Sequence, residues 1–215
     1  MSTQYKYRPK TINDFIFATD RLRRQIMPYA SGEATRPLVL HGKHGTGKST
    51  LAELIPRTID GPKVIVTKIK SESLNSVNEV RTLFNRTKQF DNLFAYEGQS
   101  RNYIVVEEVN FDPKAKGALR NSLDEMEGRD LMIFTTNEVE KLDTGFLSRA
   151  EVVEVPPVPP ERFKCFARQL LESEGLSLED KALDDLLNNV YEVHQDNRAY
   201  YRALDEVIYY HKYKK

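Results

Sequence analysis

The sequence predicts an α/β protein with a five-stranded parallel sheet and flanking helices, followed by a small three-helix domain. Five short runs rich in β-branched residues are separated by segments long enough for helices, a pattern typical of parallel strands joined by crossovers. A glycine-rich segment directly follows the first run. A proline-rich segment, residues 156–160, follows the last run and precedes a stretch with helical periodicity.

The five strand candidates are residues 37–40, 64–66, 103–106, 131–134 and 152–155. The first four consist of apolar residues almost throughout, so we expect them to be buried on both faces. Helices are expected between them, at residues 49–55, 74–90 and 114–126. In the second of these, Val77, Val80 and Phe84 recur at helical spacing.

Four prolines within residues 156–160 can continue neither a strand nor a helix, so we expect a domain boundary there. Residues 1–156 then form the sheet domain and residues 157–215 the helical domain. Three apolar stripes at helical spacing, which include Phe163, Leu183 and Tyr201, predict its helices. The second helix is expected to start at the capping-box pattern of Ser177 and Asp180, and the third near residues 196–197.

The composition excludes several classes of protein. No apolar stretch is long enough for a membrane span and the first ten residues lack the apolar core of a signal peptide, so we expect an intracellular protein without a membrane partner. The single cysteine, Cys165, excludes an internal disulfide and a multi-cysteine zinc site. Lysine and arginine together number 32, as do aspartate and glutamate. A uniformly basic nucleic-acid binder is thereby excluded, although basic residues concentrate between 63 and 88.

Residues 42–49 match the pattern G-x-x-x-x-G-K-[ST] between a predicted strand and a predicted helix. In such a loop the backbone N–H groups bind the β-phosphate, Lys48 reaches the β- and γ-phosphates and the Ser49 hydroxyl binds Mg²⁺. A glycine-rich turn without a ligand is the alternative. The pattern predicts ATP and Mg²⁺ as ligands, bound by Gly42, Lys43, His44, Gly45, Thr46, Gly47, Lys48, Ser49 and Thr50.

Polar residues follow two further strand candidates. Glu107 is expected near the metal and Glu108 beside the attacking water, because P-loop enzymes place acidic residues at the end of a neighbouring strand. Asn137 follows the fourth strand, where its amide could reach the γ-phosphate. Acidic residues that simply end a strand in solvent, and an ordinary turn at Asn137, are the alternatives.

With these motifs the chain resembles the AAA+ ATPases, in particular the sliding-clamp loader subunits of the replication factor C and T-even phage type. Residues 5–15 resemble the family's opening segment over the adenine, which implies nucleotide binding by Tyr7, Arg8 and Pro9. The resemblance makes Asn137 the sensor-1 residue and Arg149, in Leu-Ser-Arg-Ala, a finger that enters the neighbouring subunit's site. Arg198 is similar to the sensor-2 arginine, and residues 157–215 correspond to the family's lid.

The resemblance also implies DNA contacts from two helices. Residues 73–81 and 111–120 resemble the elements that follow duplex DNA, with Asn78, Arg81, Lys114 and Lys116 as the contacting residues. A solvated helix face explains these residues nearly as well. The implied partners are a sliding clamp, primer-template DNA and other loader subunits, identical or different, in the cytoplasm or nucleoid.

Three departures from the family pattern bear on function. Lys43-His44 replaces two prolines, Ala150 replaces a cysteine, and Glu107 replaces an aspartate, which predicts slow turnover. The residues of the family's collar domain do not follow Lys215, so either assembly differs, a partner supplies the collar, or the chain is truncated. We expect an ATP-dependent clamp-loader ATPase, slow as a monomer. The alternatives are a helicase loader, a branch-migration motor and a weakly hydrolysing scaffold.

Overall fold

The computed structural model describes residues 2–70, 76–84, 101–109, 113–126 and 130–213. Its sheet consists of β1 (Leu38–His41), β2 (Val66–Lys70), β3 (Asn102–Glu107), β4 (Asp130–Thr136) and β5 (Glu151–Glu154). The strand order is β2-β3-β4-β1-β5 and every pairing is parallel. The predicted α/β class and five-stranded parallel sheet are therefore confirmed, and the carboxyl ends of all the strands lie at one edge.

Helices cover both faces of the sheet and continue beyond it. They are α1 (Thr3–Lys6), α2 (Asp20–Ala30), α3 (Lys48–Asp60), α4 (residues 77–84), α5 (Pro113–Asp124), α6 (Thr144–Leu147), α7 (Pro160–Ser173), α8 (Asp180–His194) and α9 (Asn197–Tyr213). Short 3-10 helices lie at Ile12–Asp14 and Val139–Lys141. In the described ranges, no helix is both long enough and apolar enough to cross a membrane.

The alternation of side chains along β3 divides the core into two layers. Tyr103 and Val105 pack with α2 and α3 on one face, whereas Ile104 and Val106 pack with α4, α5 and α6 on the other. The helix that follows the glycine-rich loop, α3, therefore lies on the Val105 face of the sheet.

Several details differ from the sequence prediction. β2 covers Val66–Lys70 rather than 64–66, and it is a half-exposed edge strand instead of a strand buried on both faces. An edge position tolerates the lysines that made this segment look unlike a strand. α3 continues through Pro56, and α2, which was not predicted, begins at Asp20 after the N-cap residue Thr19.

The lid helices α7, α8 and α9 share a core of their own. Phe163 stacks on Tyr200 with ring centroids 4.4 Å apart, and Leu183, Leu187 and Leu204 complete the centre of this core. From the beginning of the chain, Ala18 is buried in this core, and Tyr7 and Ile16 pack against it. The lid core is therefore built from both ends of the sequence, and the domain boundary at residues 156–157 stays a prediction.

Residues 2–8, the N-terminal arm, are bound to two lid helices. The backbone N–H of Thr3 donates to Asp205 Oδ1 of α9 at 3.0 Å. At the end of α7, the Glu174 carboxylate accepts hydrogen bonds from Lys6, from the Tyr7 hydroxyl and from Lys212. These donors, Lys212 and Lys6 foremost, lower the pKa of Glu174 to about 2. The arm is thus held to the lid by polar contacts as well as by packing.

The depressed pKa of Glu174 predicts a pH-dependent contribution to stability. Because the folded-state pKa lies below the ordinary value, the contribution is full at neutral pH and is lost as the pH falls from about 4.5 towards 2. Glu174→Gln should therefore lower the melting temperature by about 2–4 °C at pH 7, as expected for a solvent-screened contribution of roughly 1 kcal/mol. The difference between the two melting temperatures should shrink as the pH falls below about 4.5 and should vanish near pH 2. A difference that persists there would contradict this role.

Candidate nucleotide-binding site

The loop between β1 and α3 has a backbone that only glycine adopts easily at three positions. Gly42, Gly45 and Gly47 have φ angles of 137°, 73° and 102°. Gly47 is the N-cap of α3 and provides no side chain to occupy the first amides of that helix. Amides that point out of a helix N-terminus bind anions. The loop therefore has the backbone geometry that a phosphate site requires.

Gly42→Ala should destabilise the protein strongly. A Cβ at Gly42 would lie 2.6 Å from the carbonyl oxygen of Val155, which is backbone and cannot rotate away, and φ is unfavourable for alanine. We expect a loss of roughly 2–4 kcal/mol in the free energy of unfolding, measured by denaturant titration. The matched control is Gly117→Ala in α5. Its Cβ meets nothing within 4 Å, so it should add about 0.5–1 kcal/mol. Equal effects of the two substitutions would refute this account.

The Lys48 side chain is buried at the start of α3, with 8% of the residue exposed. Its ammonium donates to the carbonyl oxygens of Gly42 at 2.8 Å and Lys43 at 2.6 Å. Burial and the nearby Arg198 lower the pKa of Lys48 to about 8, while Asp196 and Glu108 act in the opposite direction. A desolvated cation beside the loop amides favours a polyanionic ligand.

A cleft of about 440 Å³ lies over this loop, between the sheet edge and the lid. It brings together residues from the arm, the loop, the ends of β3 and β4, and α9. Among the predicted site residues, the cleft is lined by Arg8, Pro9, His44, Gly45, Gly47, Lys48, Ser49, Thr50, Glu108, Asn137 and Arg198. The ends of β3 and β4 and the glycine-rich loop meet because parallel strands end at the same edge, and the arm and α9 place Arg8 and Arg198, 190 positions apart, at the same site.

The two strand-end acidic residues differ in placement. Glu107 ends β3 on the same face as Val105, which is the face covered by α3. Glu108 is exposed, lines the cleft and has a φ of 55°, a left-handed conformation that is rare for residues with a Cβ. Its N–H donates to Thr135 Oγ1 of β4 at 3.3 Å. Such a conformation directs the Glu108 side chain away from the strand direction and towards the cleft.

Several predicted residues do not line the cleft: Tyr7, Gly42, Lys43, Thr46, Glu107 and Arg149. Lys43 instead donates to the side-chain oxygen of Gln195 in the lid. The Tyr7 hydroxyl donates to Glu174 at 3.0 Å, so this ring belongs to the arm–lid contact. Thr46 is buried and donates to the Lys43 carbonyl oxygen. The side chains of Lys43 and Tyr7 are therefore bonded to the lid and do not line the cleft, and nucleotide binding by these two residues stays a prediction.

Arg149 lies outside the cleft lining and is held by α5. Its Nε and Nη2 donate to the two carboxylate oxygens of Asp124 at 2.7 and 2.8 Å, and its Nη1 donates to the Gly145 carbonyl oxygen. This bidentate pair raises the pKa of Arg149 and lowers that of Asp124. The guanidinium is therefore fixed in place on the protein surface.

The apolar part of the cleft was predicted from the sequence only in part, through residues 5–15. It is lined by Tyr5, Phe15, Ile16, Phe163 and Tyr201. Burial raises the pKa of Tyr201 to about 12. The spacing from Arg198 to Tyr201 places both on one face of α9, and this signal was available in the sequence. An apolar wall with aromatic rings suits a flat nucleobase.

The residues present fit a magnesium ion that is held mainly by phosphate oxygens and water. Mg²⁺ usually takes one or two protein oxygens in such sites. Ser49 lines the cleft, and Glu107 lies at the sheet edge on the α3 face. In the described residues there is no cluster of three or more histidine, cysteine, aspartate or glutamate side chains that could bind a metal independently.

The predicted DNA-contacting residues lie on one side of the sheet. Asn78 and Arg81 are exposed on α4, and Lys116 is half-buried on α5. α4 begins at residue 77, later than expected, because Ser76 and Glu79 form a reciprocal capping box with bonds of 2.9 and 3.2 Å. Residues 71–75, 85–100 and 110–112 and the side chain of Lys114 lie outside the described part of the chain.

The fold, the glycine-rich loop and the cleft together define an α/β P-loop protein. A family model described as "ATPase family associated with various cellular activities (AAA)" matches residues 38–157. This match covers more than half of the chain, and the chain belongs to that family. Membership implies nucleotide binding, usually with Mg²⁺.

Curated relatives extend the likeness over most of the chain. The chain is 23% identical over 182 residues to replication factor C small subunit 1 of Pyrobaculum arsenaticum, covering 83% of the chain and 54% of the relative. It is 24% identical over 203 residues to replication factor C small subunit 2 of Pyrobaculum aerophilum, covering 93% and 61%. The chain thus spans about half the length of these relatives.

Solved structures share the fold. A RuvB variant of Thermotoga maritima superposes with a TM-score of 0.71 at 15% identity, covering 94% of this chain and 65% of that one. Domain III of the replication initiation protein DnaA from the same organism gives 0.62 at 19% identity, covering 96% and 90%. At such identities the likeness concerns the fold alone.

Proposed function

We propose that this chain is the ATPase part of a clamp-loader-like assembly in DNA replication. The observation that carries the proposal is the match to replication factor C small subunits over 83–93% of the chain. The cleft supports it independently, since the glycine-rich loop, Glu108, Asn137 and Arg198 all line one site. The domains are the nucleotide-binding domain, residues 1–156, and the lid, residues 157–215.

In this proposal the chain's own residues bind and orient the triphosphate of ATP. The amides at the start of α3 and the Lys48 ammonium bind the β- and γ-phosphates, and Lys48 leaves its two carbonyl partners to do so. Ser49 and Glu107 hold Mg²⁺, which when bound neutralises charge on the phosphates. The apolar wall at Tyr5 and Tyr201 receives the adenine.

Hydrolysis requires a positioned water and charge stabilisation at the γ-phosphate. Glu108 accepts a proton from the attacking water, and Asn137 orients it from the end of β4. Arg198 contacts the γ-phosphate from the lid. The position of Arg149 on the surface, outside the cleft lining, supports a role in the site of a neighbouring subunit.

The proposed partners are a sliding clamp and primer-template DNA. In this proposal α4 and α5 lie along the DNA and contact it with Asn78, Arg81, Lys114 and Lys116. The test is ATPase activity as a function of protein concentration, with and without primed DNA and a candidate clamp. Activity per chain should rise with concentration and rise further with both partners. Activity per chain that is independent of concentration and of both partners would contradict a loader.

A weakly hydrolysing, nucleotide-gated scaffold is the second candidate, and Glu107 favours it. A glutamate extends one methylene further than aspartate, and the geometry around Mg²⁺ tolerates little displacement. Glu107→Asp separates the two candidates, because it should raise the turnover of a scaffold severalfold. In an enzyme already adapted to glutamate, turnover should stay the same or fall.

A further inference from the structure

The turn between α8 and α9 is docked on the phosphate loop by hydrogen bonds on both of its sides. The Gln195 side-chain oxygen accepts from Lys43, and the Asn197 side-chain amide donates to the carbonyl oxygen of Thr46 at 3.0 Å. Gln195 has a left-handed backbone, with φ 48° and ψ 36°, which persists in proteins where surrounding contacts fix it. The loop and the first turn of α9 are therefore held as one unit.

Asp196 lies at the centre of this contact. A Cβ built on Gly45 would lie 1.7 Å from Asp196 Oδ1, so only a glycine in the loop lets the carboxylate approach this closely. The same oxygen accepts from the backbone N–H of Arg198 at 2.8 Å and from Arg198 Nε at 3.4 Å. One carboxylate thus touches both the phosphate loop and the arginine that faces the cleft.

The contact with Asp196 leaves the two terminal nitrogens of Arg198 available to bind a ligand. Within the residues that the structure describes, Arg198 Nε is bonded to Asp196, and the two terminal nitrogens have no hydrogen-bond partner. Arg198 also lines the cleft. A planar guanidinium that is anchored at Nε presents its remaining donors in a defined direction, which is how arginine recognises phosphate in a bidentate manner.

We propose that Asp196 is a positioning residue that aims Arg198 at the terminal phosphate of the bound nucleotide. The proposal rests on the proposed function and deepens it, since it concerns discrimination between ATP and ADP at the same site. Asp196 also caps the N-terminus of α9 through the Arg198 N–H. The two roles are separable, because asparagine caps a helix about as well as aspartate but carries no charge.

The test compares ATP and ADP affinities of the full chain, its Asp196→Asn and Arg198→Ala variants and the double variant. Competition against a fluorescent ATP analogue gives the dissociation constants, and thermal melts report folding. Asp196→Asn should lower the preference for ATP over ADP by about three- to tenfold, with an unchanged melting temperature. In the Arg198→Ala background the same substitution should have no further effect on the preference.

The possible outcomes are distinct. If Asp196→Asn leaves the preference unchanged, or lowers it equally in the Arg198→Ala background, Asp196 is a helix cap only and the proposal is wrong. A higher ATP preference in Asp196→Asn would mean that the carboxylate repels the phosphate, which also overturns the proposal. If the unsubstituted chain binds neither nucleotide, the proposed function itself fails. Asp196→Ala, which removes the cap, should lower the melting temperature and so calibrates the structural contribution.

Discussion

Replacing Lys48 with alanine is expected to weaken ATP binding by about 100-fold. The substitution removes the buried ammonium that would bind two phosphate groups, and a hydrogen bond between charged groups of this kind contributes up to roughly 3 kcal/mol. Fluorescence titration with an ATP analogue measures the change. The expected loss is large because the Lys48 ammonium is buried within the loop, where it donates to two of the loop's carbonyl oxygens.

Two companion variants separate charge from folding. Lys48→Met keeps most of the buried aliphatic stem and should melt near the temperature of the unsubstituted chain while losing affinity equally. Lys43→Ala removes a lysine from the same loop whose ammonium is turned to Gln195, so affinity should fall by only about two- to threefold. Unchanged affinity in a folded Lys48→Ala protein would refute the phosphate site altogether.

Arg149→Ala is expected to reduce ATP hydrolysis in the assembled state by about 10³-fold or more, the range measured for arginine fingers in P-loop enzymes. Nucleotide affinity should change little, because the side chain does not line its own chain's cleft. The measurement is steady-state ATPase at a protein concentration where activity per chain has reached its plateau. The loss of Asp124's partner is a change at the solvent-exposed surface, so the melting temperature should change little.

A mixture of variants tests whether Arg149 acts between chains. The Arg149→Ala variant retains Glu108, and the Glu108→Gln variant retains Arg149. If the chains assemble with one another, a mixture of these two inactive proteins forms some sites that have both residues, and part of the ATPase activity should return. The matched control is Arg168→Ala, which breaks a comparable exposed ion pair with Asp180 in the lid and should leave turnover unchanged. Full ATPase activity of the Arg149→Ala variant would exclude a role for Arg149 in the neighbouring subunit's site.

The phosphate loop and the sheet edge could be predicted from the sequence because they depend on short contiguous signals. Gly42, Gly47 and Lys48 occur at fixed spacing after an apolar run, and the acidic residue Glu108 directly follows another. The central strands β3, β4 and β1 could be predicted because each is a short continuous apolar run. β2 was misplaced because an edge strand exposes Lys68 and Lys70 and therefore lacks the continuous apolar pattern of a buried strand.

Side-chain partners formed between distant segments could not be predicted. Nothing near Lys43 in the sequence indicates that it bonds Gln195, and nothing near Tyr7 indicates its contact with Glu174. Both contacts depend on where the lid lies relative to the sheet. Arg8 is a further example, since it donates to Glu53 of α3, whose carboxylate also accepts from Lys68 of β2.

The contribution of the N-terminal arm to the lid core has a consequence for the order of folding during synthesis. Tyr7 leaves the ribosome long before α7 does. Its hydroxyl bonds Ser173 and Glu174, which lie 166 and 167 positions further along the chain. Contacts of such sequence separation form late and slowly. The arm can bind the lid only after the last helices have been synthesised. A fragment comprising only residues 157–215 would lack Tyr7, Ile16 and Ala18, so the apolar surface that these residues cover would be exposed and prone to aggregation.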